Sequence, residues 1–363
     1  MGSWDCYCAI CGFSFPSSPQ NIAVRPGRTN TAQPGAGDQQ DDPAERNEVN
    51  EEGDYFDADL LSEGDVAWLC TLHALVSWSD QVFVTGPGTY EDSAMVNVGI
   101  GDDPDFDESA EILCYDGSYP FHWPCYQILG SVLAGKQGVA GINKFRLFDS
   151  LVRLTSICDT ALSGVDLGAA APLQDQFWTE GRGLELTAVN PMISADLLAT
   201  SDLIQRLVAG ASLPMITPDL HPRVKSDPFR QLPSEIIHQL CKNLPKESMS
   251  NLMQASWTVS ETVRRSISFW KSRIKIDMPW AFEIHSFLDS VADENQPSVY
   301  PKLQDWQYWH YKELYTSLDK TIDPKPFFRG SLIVLKLANR RRIWYVCTQI
   351  KAVYDTMCEI EQM

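Results

Sequence analysis

Hydrophobic positions along this chain come in short bursts, and their spacing changes character from strand-like to helix-like near residue 122. Residues 16–62 come first and hold few apolar residues; Pro, Gly, Asn, Gln and acids dominate until Tyr55 and Phe56. Such a stretch buries too little apolar surface to offset backbone ordering, so it reads as a disordered acidic insert behind a short cysteine-bearing N-terminus, residues 1–15. From Trp68 the apolar density rises. Residues 70–78 and 81–86 read as short strands before a Gly86-Pro87-Gly88 turn, and 95–100 alternates like a third strand. The acidic stretch 102–111 reads as a loop; it lacks the central Gly and terminal Glu of an EF-hand loop. Helical spacing follows over 122–135, with Tyr126, Leu129, Val132 and Leu133 on one face. It recurs over 143–158 through Phe148, Leu151 and Val152.

Residues 160–192 read as loops. Residues 193–210 predict one or two short helices, capped by Ser194 and stopped at Gly210, and 211–226 is a proline-spaced linker. Three short helices are then predicted inside 227–274. Pro233 opens the first, where its missing N–H costs nothing, and Ile236, Ile237, Leu240 and Leu244 form its stripe. Pro245 breaks it. Lys246–Ala255 restarts with Met249, Leu252 and Met253 on one side, and a third helix is expected from near Val259 to Trp270 or Ile274. None is long enough to be stable alone in water, so they must pack together. Beyond them, 282–292, an aromatic 305–321 carrying Trp306 and Trp309, and one short and one long helix within 327–360 make a helical C-terminal region, 275–363. The fold class expected is mainly α with a small β component, an α+β protein.

Charge sharpens the division. The net charge is −19, yet residues 1–220 hold 32 acidic and 9 basic side chains, and the remainder holds 16 and 20. An acidic front half repels nucleic acid and anionic lipid, so neither is expected as a partner. The run Arg340–Arg342 is short and reads as a solvated helix face or an internal ion-pair partner. No run of about eighteen apolar residues occurs, so no membrane span is expected. The first twenty residues lack a basic start and an apolar core of signal-peptide type, which sets the expectation of a cytoplasmic or nuclear protein with reduced thiols.

Residues 229–274 resemble an F-box. The likeness lies in Leu232-Pro233 with Glu235-Ile236, the following Leu240 and Leu244, the run Leu252–Ser256, and Phe269-Trp270 closing the third helix. More weakly, CAICG at 8–12, YPFHWPC at 119–125 and NRRRIW at 339–344 are similar to uncharacterised fungal F-box domain-containing proteins. The resemblance implies a three-helix F-box at 227–274, embedded between an N-terminal α+β domain (63–210) and the C-terminal helical region. It also implies docking to a Skp-type adaptor and through it to a cullin, with an unknown protein substrate. The contact candidates are Phe229, Leu232, Pro233, Ile236, Ile237, Leu240, Leu244, Leu252, Met253 and Trp270. From helix pattern alone, an alternative stands beside this one: a scaffold whose F-box-like bundle is covered by its own neighbouring domains.

Cys8 and Cys11 form a CxxC pair, and His122 and Cys125 an HxxC pair at the start of a helix. Two such pairs far apart in sequence are a common way to assemble a structural zinc site, because a two-residue gap lets each pair chelate from one turn. Cys6 is a spare ligand candidate. The competing reading has Cys8 and Cys11 lining an apolar strand and His122 as a hydrogen-bonded core residue. No nucleophile elbow, phosphate loop or zinc-hydrolase helix is present, so a non-catalytic adaptor is expected.

Overall fold

The computed structural model describes residues 6–16, 61–92, 95–99, 109–156, 161–168, 185–194, 196–197, 226–264, 266–291 and 332–361. The fold is mostly helical with small antiparallel sheets, an α+β arrangement. The chain divides into two compact units: residues 1–192 with 324–363, and residues 193–323.

The first unit begins with the N-terminal residues, which are core rather than a separate segment: Ile10, Phe13 and Phe15 are buried. A short helix α1 (Glu63–Val66) and a 3-10 turn (Ala67–Cys70) lead into the sheets. Strands β1 (His73–Trp78) and β2 (Gln81–Val84) form a two-residue hairpin. Ser79 and Asp80 both take positive φ there, 48° and 65°, the left-handed pair that suits the twist of a tight hairpin. β3 (Gly88–Asp92), β4 (Met95–Gly99) and β5 (Ser109–Leu113) build a second sheet, β3-β4-β5. The final part of the acidic loop expected at 102–111 is therefore strand: Glu111 lies opposite Asn97 on β4. β6 (Ser118–Phe121) returns to complete the first sheet, β2-β1-β6, with all four of its residues buried.

β6 runs without a loop into α2 (Trp123–Ala134), and α3 (Lys144–Leu154) covers the first sheet. Asn143 caps α3 by accepting the Arg146 N–H. Within the stretch expected to be loop, α4 (Glu185–Ala188) is one helical turn.

The second unit opens with Ser194, whose Oγ accepts the Leu197 N–H at 3.2 Å, the cap expected there. The remainder of 198–210 and the linker to 225 lie outside the described residues. After a 3-10 turn at Pro228–Gln231 come α5 (Ser234–Asn243), α6 (Lys246–Ala255), α7 (Trp257–Arg264), α8 (Ile267–Asp277) and α9 (Phe282–Val291). The third helix expected from Val259 to Trp270 or Ile274 is thus two helices. Ser266 ends the continuity by acting as a new N-cap, accepting the Phe269 N–H at 3.4 Å.

The last element is one helix, α10 (Leu332–Glu361), in place of the short and long pair expected. It packs on α2, α3 and α4, so it belongs to the first unit and not to a separate C-terminal region. The aromatic stretch 305–321, with Trp306 and Trp309, and the insert over 17–60 lie outside the described residues.

The Arg340–Arg342 run is not a solvated face. Arg340 is fully buried and donates through Nε and Nη2 to the Pro191 carbonyl, at 2.8 and 2.6 Å. Asn339 donates to Thr187 O and Val189 O, and Lys336 to Asn190 O. Segment 187–191 has no ladder partner for these carbonyls, and buried carbonyls require donors. Long donors from one helix face supply them.

Candidate functional site

The metal-ligand candidates come from two local structures. In the first, Tyr7 and Ser14 form an antiparallel bridge, and the chain between them turns tightly. Cys8 N–H donates to Phe13 O at 2.8 Å, and Gly12 N–H to Cys8 O at 2.9 Å. Gly12 takes φ 73°, which a side chain would resist. The turn points both thiols the same way, and the Cys11 N–H reaches Cys8 Sγ at 3.4 Å. In the second, His122 is the N-cap residue of α2 and Cys125 sits in its first turn. A single backbone bond, Ala9 N–H to Pro120 O at 2.8 Å, sets the turn against β6 and so against the start of α2.

The result is one cluster. Ligand atoms of Cys8, Cys11, His122 and Cys125 all lie within 4.8 Å of one another, and all four residues are buried. A tetrahedral ion with sulfur ligands near 2.3 Å sets ligand atoms about 3.8 Å apart, so the cluster fits one ion. It can hold a metal ion with four protein ligands and no open position. Among the described residues it is the one His/Cys/Asp/Glu group so arranged.

The imidazole is oriented for this. His122 Nε2 lies 3.1 Å from Leu69 O, and a carbonyl can only accept, so Nε2 carries the proton. Nδ1 then faces the cluster, 3.4 Å from Cys11 Sγ. A second partner fixing the tautomer is the usual arrangement behind a metal-bound histidine. The rings of Phe15 and Trp68 enclose the imidazole at 4.5 and 4.8 Å. Behind Cys11, Arg342 Nη1 from α10 donates to the Cys11 carbonyl at 2.6 Å and to Leu167 O at 3.1 Å.

Protonation follows from crowding. Burial alone pushes the Cys8 thiol up, but hydrogen bonds from Cys11 and Cys125 and the charge of His122 hold it well below the ordinary thiol value. Burial opposes the His122 cation, yet attraction to Cys8 and Cys11 pushes its value up to about 10. Burial and the neighbouring thiols push Cys125 well above the ordinary value. The cluster therefore favours charge of both signs at its centre, and a divalent cation satisfies the same field by displacing protons. Cys6, the spare candidate, lies outside this set.

The adaptor-contact candidates divide. Leu232 and Ile236 are exposed, at 38% and 51%, and Pro233 between them is exposed as well. They stand one turn apart at the start of α5, where Ile236 N–H bonds Pro233 O at 3.1 Å. Phe229, Leu240, Leu244, Leu252 and Met253 are half-buried. Ile237 and Trp270 are interior, at 1% and 0% exposure, so they serve the bundle's core and offer no side chain to a partner. Their neighbours in that interior are Cys241, Met249, Val259, Val263 and Phe269.

Two residues that sequence reading missed hold the bundle together. Asp227 accepts from Ser256 Oγ, Thr258 N–H and Phe229 N–H, all at about 3 Å, tying the entry turn to the α6–α7 junction. Buried Arg273 donates through Nη1 to the carbonyls of Cys241, Lys242 and Leu244, closing the C-terminal end of α5. An Asp two residues before a Phe at a helix entry was a legible cap signal; nothing local marked Arg273, which reaches back about thirty residues.

No described helix is long and apolar enough to cross a membrane. No family model, curated protein or solved structure matches the chain.

Proposed function

We propose that this protein is a non-catalytic adaptor. In this reading its helical unit is an F-box that docks a Skp-type adaptor of a cullin-RING ubiquitin ligase, and its first unit reads a target protein. The observation that carries it is the exposure of Leu232, Pro233 and Ile236 on a bundle whose interior is already filled by Ile237, Val263, Phe269 and Trp270. A Leu-Pro step with Ile one turn on is a rigid apolar knob that loses little entropy on binding. A scaffold with this bundle packed inside its own fold has no use for such a knob left in water.

The same reading assigns zinc to the Cys8, Cys11, His122, Cys125 cluster. Three thiolates and one imidazole, closed and buried, are the donor set of structural zinc. With no open position, the ion supplies folding energy and no Lewis-acid chemistry. It would pin the N-terminal turn onto β6 and α2.

The test is binding of the purified full-length protein to a Skp-type adaptor. Leu232→Ala with Pro233→Ala is expected to weaken the complex at least tenfold, about 1.4 kcal/mol, with the far-ultraviolet circular dichroism unchanged. A wild-type protein that stays folded and shows no affinity for the adaptor overturns the proposal.

A further inference from the structure

From α10, Arg342 reaches a ligand residue of the metal cluster. Its Nη1 donates to the Cys11 carbonyl at 2.6 Å, across 331 positions of sequence. The side chain is aimed by its own helix. Asn339, one turn earlier, accepts both Nε and Nη2 on Oδ1, at 3.1 and 3.0 Å. That pair sets the guanidinium plane and leaves Nη1 for Cys11 O and, at 3.1 Å, Leu167 O. The helix is fixed in turn: Gln349, two turns on, exchanges two hydrogen bonds of 2.9 Å with the backbone of Asp166.

The bond to Cys11 acts where the turn is decided. The Cys11 carbonyl and the Gly12 N–H belong to one planar peptide unit and point to opposite sides of it. Gly12 N–H donates to Cys8 O at 2.9 Å and closes the turn. Arg342 holds the oxygen on the other side, so the peptide that sets Cys11 relative to Cys8 is gripped from both edges. Charge points the same way. A divalent ion held by three thiolates and a neutral imidazole leaves a net charge of about −1 in a buried site. Burying such a charge is costly unless a cation compensates it. Among the described residues, none of the hydrogen-bond partners of Arg342 is a carboxylate; Cys11 O, Leu167 O and Asn339 Oδ1 are all neutral oxygens, so its charge is available to the cluster.

We propose that Arg342 is a positioning residue of the zinc site: it holds Cys11 in ligating geometry and offsets the charge of the loaded cluster, so that metal binds at full affinity only when α10 is docked. The inference rests on the zinc reading above. Arg342 acts through the Cys11 backbone and is not itself a ligand. Partners that orient a metal ligand from behind contribute a factor of about 10–100 to metal affinity. The coupling is reciprocal: whatever α10 adds to metal affinity, bound metal adds to the docking of α10. The turn at residues 8–11 therefore waits for a helix that starts at Leu332, and the ion is held tightly once the two have met in the fold.

The experiment measures zinc affinity of the full-length protein in competition with a chromophoric chelator, and cobalt absorption on the same samples. Arg342→Gln is expected to weaken zinc binding by about tenfold or more. Cobalt should still give a tetrahedral thiolate spectrum in that variant, because all four ligands remain. Gln349→Ala is the comparison: it loosens the same helix from the loop at 166–167 without touching Cys11, and it is expected to change zinc affinity by less than about twofold. Arg342→Lys keeps the charge and one donor, is expected to lose about fivefold, and carries the comparison if the Gln variant does not fold. Arg342 variants that bind zinc as tightly as wild type overturn the inference, as does an equal loss in Gln349→Ala, which would make the role one of helix docking alone. Wild-type protein that takes up neither zinc nor cobalt removes the zinc reading, and this inference with it.

Discussion

His122 has both ring nitrogens committed, one to the Leu69 carbonyl and one to the thiol cluster. Substituting any of the four cluster residues leaves three ligands and an open position in a buried site. Cys125→Ser is expected to hold less than one metal ion per chain after dialysis. Cobalt loading should show this directly: the wild type gives the absorption of a tetrahedral thiolate site, and the variant loses or shifts it. Asp227 offers a second test at this scale. Burial pushes its carboxyl up, but the hydrogen bonds from Thr258, Ser256 and Phe229 together outweigh this and hold it below the ordinary value. A depressed folded value means the contribution is present above the unfolded carboxylate value, near 4, and is lost as pH falls through the lower folded value. Asp227→Asn is expected to cost about 1 kcal/mol at neutral pH, in the range of a lost cap. Denaturant titrations should show the gap from wild type closing below about pH 4.

Helix termini decide the behaviour of the elements. α5 ends at Asn243 with three carbonyls gathered by one guanidinium, and the same Arg273 is paired through Nε to Asp277 at 2.7 Å. Arg273→Met removes the donors and leaves buried carbonyls and a carboxylate short of partners. A loss of about 2–3 kcal/mol in the helical unit is expected, read by thermal unfolding. Arg273→Lys should recover little, because a point charge does not reproduce the planar fork. The break between α7 and α8 has a similar origin, since Ser266 caps the next helix rather than continuing the last. The exposed start of α5 lies apart from both devices. Ile236→Ala is therefore expected to leave the unfolding midpoint within about 0.5 kcal/mol of wild type while weakening adaptor binding, which separates a docking role from a packing one.

At the scale of the whole molecule, the first unit joins the chain's two ends. The N-terminal turn meets α10 through Arg342 and the Cys11 carbonyl, and its Cys8 and Cys11 cluster with His122 and Cys125 at the β6–α2 junction. Metal binding to a site that exists only in the folded state is folding free energy. Stripping metal with a strong chelator is expected to expose Phe13 and Phe15 and lower the unfolding transition of the first unit. The transition of the second unit, residues 193–323, should stay where it was. A single transition shifting as a whole, or no shift in either, would count against the metal as a clasp of the first unit.

Much of this was legible in local sequence, because local physics decides it. Strand alternation at 95–100, the helical face of Tyr126 and Leu129, the Ser194 cap, the helix start at Pro233 and the break at Pro245 each depend on neighbours a few residues away. The CxxC and HxxC pairs were legible for the same reason: chelate spacing is a property of one turn. Other features depended on residues far apart in the chain. β6 was missed because its four residues, all buried, show no alternation. The Arg340–Arg342 run reads as a solvated face or an ion-pair partner because charge normally seeks water or an opposite charge, and what receives buried Arg340 instead is a carbonyl about 150 residues away. Ile236 and Ile237 are adjacent aliphatic residues that the helix turns to opposite fates, one toward solvent and one into the core. Composition and spacing determined that helices, a small sheet component and a pair of chelating turns would form. Tertiary packing alone decided that the two turns share one site, that the last helix closes the first unit, and which apolar side chains stay in water, because each of those rests on contacts the chain makes only after it has folded back on itself.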